Sequence, residues 1–193
     1  MLSSELKLGL APAATYQTLV DEQATGTWWM VLARAAFYLL LFGSLVAITA
    51  TRHITLGLTF HITVSWSFLI AWQALVGAVI ILPAPNRRVS LSRAFELLFL
   101  AYVPWSLYAL TMTALAVLVD PNMQILIVAL TGVVPLAWTS VVVAGFCRTV
   151  LGKTAAGARR LTLVHQFVIW GGTLVYVWFA VGGWTPILQT VGL

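Results

Sequence analysis

Charge is what this chain lacks most. Asp, Glu, Lys and Arg make up 8% of its 193 residues, against about 25% in a typical soluble domain. A soluble globular fold is thereby excluded. Cysteine is limited to Cys147, so no intrachain disulfide and no cysteine-based metal cluster can form. No paired-carboxylate site, no Ser-His-Asp arrangement on one face and no glycine-rich phosphate loop is found, so the common enzyme constellations are missing. A secretory signal is not expected either. Residues 1–28 are mixed polar, with Glu5, Asp21 and Glu22, and lack the basic-then-apolar order of a leader.

What is present is apolar sequence, 61% of the chain, with a mean hydropathy of +1.00. A membrane-crossing helix needs roughly 20 apolar residues, and five stretches qualify. They run from about Trp29 to Thr51, Leu58 to Leu82, Phe95 to Val119, Gln124 to Cys147 and Leu161 to Gly182. Backbone groups in hydrocarbon must be satisfied within the segment, which predicts helices rather than strands. Trp28 and Trp29, Pro83 and Pro85, Asp120-Pro121-Asn122, and Trp184 with Pro186 punctuate the ends. The expected fold is an all-α bundle of five transmembrane helices over residues 29–193, after a segment, residues 1–28, that carries a short amphipathic helix. In that helix Pro12 stands in the first turn. Tyr16, Leu19 and Val20 recur at helical spacing, while Gln17, Asp21 and Glu22 face elsewhere. Packing against the basic loops is its expected role.

The net charge of +5 is explained by topology rather than by nucleic acid. Lys7, Arg87, Arg88, Arg93, Arg148, Lys153, Arg159 and Arg160 fall in segments on one side of the five spans, and Arg34 lies near that side. The opposite side has Arg52 and Asp120. The positive-inside rule then predicts a cytoplasmic N-terminus and an external C-terminus. Arg87, Arg88, Arg148, Lys153, Arg159 and Arg160 are candidate contacts for lipid headgroups.

Ionisable residues inside spans are candidate functional groups. Arg34 lies about 8 to 9 Å beyond Trp28 at 1.5 Å per residue. It can snorkel to the interface or meet Glu96, which starts the third span from the same side. Glu96 can instead pair locally with Arg93, three residues earlier. His61 and His165 start their spans from opposite sides, so a core roughly 30 Å thick prevents a shared metal. A polar helix–helix contact is the simpler reading of His165. Pro104 and Pro135 are candidate kinks, with Tyr102, Trp105 and Tyr108 clustered around the first. No metal site and no cofactor is expected.

The layout resembles the Yip1 family. The likeness rests on Ala11-Pro12-Ala13-Ala14-Thr15-Tyr16 before five spans, on Val89-Ser90-Leu91-Ser92-Arg93 leading into Tyr102-Val103-Pro104, and on an apolar helix from Trp138 ending at Arg148. A long acidic cytoplasmic domain and an Asp-Leu-Tyr-Gly-Pro motif are not found. The resemblance implies a non-enzymatic protein of the bacterial inner membrane. It would act as an accessory or scaffold subunit, or in membrane organisation, with lipids, other membrane subunits or its own copies as partners and no nucleic acid. A small transporter or channel subunit, and a subunit carrying a His-ligated cofactor for electron transfer, are the alternatives.

Overall fold

The structure, a computed structural model, describes residues 7–51, 55–116, 118, 119, 123, 127 and 130–180. Every regular element among them is helical. They are α1 (Pro12–Glu22), α2 (Trp28–Thr51), α3 (Leu56–Ile81), α4 (Leu91–Leu100), α5 (Val103–Ala116), α6 (Val133–Thr149) and α7 (Ala155–Ala180). Three helical stretches are long and apolar enough to cross a membrane: Trp28–Thr49, Leu56–Ile81 and Leu91–Leu115. Arg52, Asp120, Pro121, Asn122, Gln124, Trp184 and Pro186, which entered the span and charge assignments, lie outside the described residues.

Each boundary has a local cause. Thr55 accepts from the Leu58 amide at the start of α3 (3.3 Å), and Ser90 accepts from the Arg93 amide at the start of α4 (3.3 Å), both as N-caps do. The third apolar stretch therefore begins at Leu91, four residues before the Phe95 expected from hydropathy. The last one begins at Ala155 rather than Leu161, because Thr154 accepts from the Gly157 amide (3.2 Å). Arg159 and Arg160 are consequently helical residues of α7, not loop residues. Helix α6 ends with the Lys153 amide on the Cys147 carbonyl (3.0 Å) and Gly152 at φ 64. A glycine accepts this left-handed turn without steric penalty. A side chain there would also meet the Asn86 carbonyl oxygen, 2.8 Å from an ideal Cβ.

Helices α2, α3, α7, α6 and α5 pack as successive neighbours, and α5 closes back on α2. Close approach is possible where side chains are small. Gly43 of α2 meets Thr63 of α3, and Gly172 of α7 meets the Trp72 indole of α3. The outer surface is apolar: Trp29, Phe60, Val79, Phe167 and Leu174 are among its exposed side chains. Such a surface suits lipid and not water.

The tightest core lies at one end of the bundle, where α1 docks. Tyr16 is fully buried and meets the Phe146 ring edge-on, with centroids 5.8 Å apart. Pro12 fits over Gly145, where an ideal Cβ would come within 3.0 Å of the proline Cβ. Upstream, the Gly9 carbonyl accepts from the Trp138 indole (2.7 Å).

Candidate functional site

Two polar constellations stand out. The first fastens α1 to the bundle end. Arg93 and Glu96, i and i+3 on α4, form a close buried ion pair (Nη1 to Oε2, 2.8 Å). Arg34 reaches the other oxygen of Glu96 from α2 at 3.4 Å. Both readings of Glu96 from the sequence are thus brought together in one triad. Arg93 also donates to the carbonyls of Gln23 (3.1 Å) and Leu19 (3.3 Å). The positive charge is spread over the carbonyls that the end of α1 leaves open, as helix C-termini favour. Ser90 and Ser92 hold the linker that follows, through Gly26 N to Ser90 Oγ (3.1 Å) and Ser92 Oγ to Gly26 O (2.6 Å). Among the candidate lipid-contact residues, Arg88 donates to the Gln17 side chain of α1 (2.7 Å), and its amide donates to the Val150 carbonyl (2.9 Å). Arg148, Arg159 and Arg160 are exposed, and Arg87 and Lys153 are half-buried.

Pro104 supplies the second element. Lacking an N–H, it cannot complete the helix ladder, and α4 gives way to α5 across Ala101 and Tyr102. The Ala101 and Tyr102 amides bond three residues back, to Leu98 (2.9 Å) and Phe99 (3.2 Å), a tightened turn. The carbonyl of Leu97 loses its usual i+4 partner and accepts the Tyr16 hydroxyl instead (3.1 Å). Pro135 is different in kind. It lies in the first turn of α6, three residues after a turn at Gly132.

Beyond the break, α2, α3, α5 and α7 line a half-open cavity of about 510 Å3. Trp66, Trp105, Trp170, Phe42 and Tyr38 supply aromatic walls, with Trp105 and Trp170 centroids 4.4 Å apart. No charged side chain lines it among the described residues. Its polar groups are neutral, chiefly Gln73, Gln166, Ser106 and Tyr102. Tyr102 Oη lies 2.8 Å from His165 Nε2, so the fully buried His165 is a helix–helix contact behind the cavity wall. Gln166 accepts from the Trp170 indole (3.1 Å), while its Nε2 has no partner. Leaving a buried amide donor unpaired costs about 1–3 kcal/mol. Gln73 is 8% exposed and hydrogen-bonds no described residue. Its side chain lines the cavity.

His61 lies exposed on α3, away from these groups. No set of three or more His, Cys, Asp or Glu side chains is placed to hold a metal among the described residues. Periodicity signalled neither Gln73 nor the cavity. The one available signal for Gln73 was an amide inside an otherwise apolar span. No family model, no curated protein and no solved structure matches this chain.

Proposed function

We propose that this protein is a non-enzymatic, Yip1-like integral membrane protein that works by holding a lipophilic molecule within its helical bundle. Through it the protein organises its lipid surroundings or serves a larger complex. In this reading the chain crosses the bacterial inner membrane five times, with the N-terminus in the cytoplasm and the C-terminus outside. The gathering of Arg34, Arg88, Arg93, Arg148 and Lys153 at the α1 end of the bundle supports that orientation.

The cavity carries the proposal. Its volume, about 510 Å3, falls within the range of roughly 300–1,000 Å3 typical of small-molecule sites. Its walls are apolar and aromatic, with a few neutral polar groups, as such sites are built. The triad, α1 and the linker pack together at the neighbouring end, and the cavity lies beyond them among the described residues. A transporter subunit is the second reading, favoured by the amide of Gln73 inside the bundle. The cofactor reading is weakened because His165 commits Nε2 to Tyr102.

Native mass spectrometry of protein extracted gently from its own membrane tests the proposal. A retained lipophilic mass is expected in the wild type and is expected to fall in Ala109→Phe, which fills the cavity from α5. Equal retention by both proteins would refute binding inside the bundle. A discrete complex with another protein would identify the larger assembly that the bundle serves.

A further inference from the structure

We infer that the cavity selects an uncharged amphiphile: an apolar body carrying one neutral hydrogen-bonding head, an alcohol or a carbonyl, seated against Gln73. This inference rests on the binding role proposed above and adds the chemistry of the guest.

Among the described residues the cavity has no cationic or anionic lining group. A charged headgroup entering it would lose its hydration and find no counter-charge, a cost of several kcal/mol or more in such surroundings. Ionised fatty acids and phosphate-bearing heads are thereby disfavoured. Arg34 and Arg93 are both paired to Glu96, and none of the three lines the cavity.

A plain hydrocarbon would leave Gln73 unsatisfied. This side chain is more than nine-tenths buried, lines the cavity and has no hydrogen-bond partner among the described residues. A primary amide offers two N–H donors and one carbonyl acceptor. It can therefore donate to a ketone or ester carbonyl, and both accept from and donate to an alcohol. Ser106 lines the same cavity and presents a second hydroxyl. Tyr102 is already engaged with His165, and the Gln166 carbonyl is engaged with Trp170. The Gln166 Nε2 is unpartnered too, but it is fully buried and only donates, so Gln73 is the lining amide with both a donor and an acceptor open. The aromatic walls of Trp66, Trp105 and Trp170 take the apolar body. Acylglycerols, fatty alcohols and lipid-soluble ketones or quinones share this chemistry.

Those tryptophans also provide the readout. Full-length protein in nanodiscs of unbrominated phosphatidylcholine would be titrated with four probes on one chain: 1-bromoundecane, 11-bromoundecan-2-one, 11-bromoundecan-1-ol and 11-bromoundecanoate. Bromine quenches indole fluorescence on contact. Quenching that persists in Ala109→Phe reports lipid-facing tryptophans and is subtracted. The ketone and the alcohol are expected to quench saturably, about five- to tenfold more tightly than the bromoalkane, the worth of one hydrogen bond. The carboxylate is expected to be weakest at neutral pH. Gln73→Leu should bring ketone and alcohol to the alkane level without weakening the alkane. Gln73→Asn, which withdraws the amide by one methylene, should give an intermediate result and guards against misfolding of the leucine variant. A preference for the ketone alone would assign a carbonyl guest, and a preference for the alcohol alone a hydroxyl guest; either supports the inference. Equal affinity of alkane, ketone and alcohol in the wild type, or tightest binding of the carboxylate, would overturn it while leaving a cavity that binds. Absence of saturable quenching by every probe would instead refute the binding role itself.

Discussion

Replacing Tyr16 by Phe removes a single oxygen from the place where the N-terminal helix meets the proline break. The hydroxyl donates to the Leu97 carbonyl at 3.1 Å, and both residues are buried. Loss of an ordinary hydrogen bond costs about 1 kcal/mol, and a carbonyl left buried and unpaired costs about 1–3 kcal/mol. No water can reach the site without opening the contact, so the upper half of that range applies and about 2 kcal/mol is expected. Reversible unfolding in mixed micelles, followed by tryptophan fluorescence, measures it. The reason given for the cost can be tested separately. The Leu97 carbonyl needs Tyr16 only because Pro104 shifts the Ala101 amide to Leu98. In a Pro104→Ala background the helix can regularise and the Ala101 amide can return to Leu97. Tyr16→Phe should then cost less than about 0.5 kcal/mol, a coupling well outside the roughly 0.3–0.5 kcal/mol by which independent sites depart from additivity. Equal costs in both backgrounds would refute the link between the break and the N-terminal helix.

Further expectations concern the same bundle end. Burial pushes the Tyr16 phenol well above its usual range, and its folded-state pKa exceeds the unfolded one. Its contribution is therefore complete below about pH 10 and is lost as the pH rises from there toward the folded value. Alkaline denaturation of the wild type should show this slope, and Tyr16→Phe should lack it. Glu96→Gln leaves Arg93 buried without its counter-ion, for which about 3–5 kcal/mol is typical. Arg34→Ala should cost much less, since that contact is 3.4 Å and the arginine is more exposed than Arg93; unfolding of the two variants side by side checks the order. Gly145→Val would drive a side chain into Pro12 and should destabilise by about 1–3 kcal/mol, read as faster proteolysis of the linker at residues 23–27.

The helical class, three of the five apolar stretches as helices long enough to cross a membrane, and the N-terminal helix could be read directly from sequence. Span length and the spacing of Tyr16, Leu19 and Val20 are local signals. Sequence offered Arg34 and Arg93 as alternative partners of Glu96, because few charges leave few choices, but not their joining in one triad. Helix starts at Leu91 and Ala155 were missed, since hydropathy falls at Arg93 and at Arg159-Arg160 while the caps Ser90 and Thr154 lie further out. The Tyr102–His165 bond joins positions 63 apart on different helices, and no periodicity reports such a meeting. Cavities are still less legible. The space beside Gln73 exists because four helices fail to fill it, and that is a property of their joint packing rather than of any segment.

An anomalous-scattering map of crystals grown in lipid and soaked with 11-bromoundecan-1-ol tests the central claim most directly. A bromine peak is expected among Trp66, Trp105 and Trp170, with the alcohol oxygen within hydrogen-bonding distance of the Gln73 amide. Peaks confined to the outer apolar surface around Phe60, Val79 and Phe167, with none inside the bundle, would contradict it.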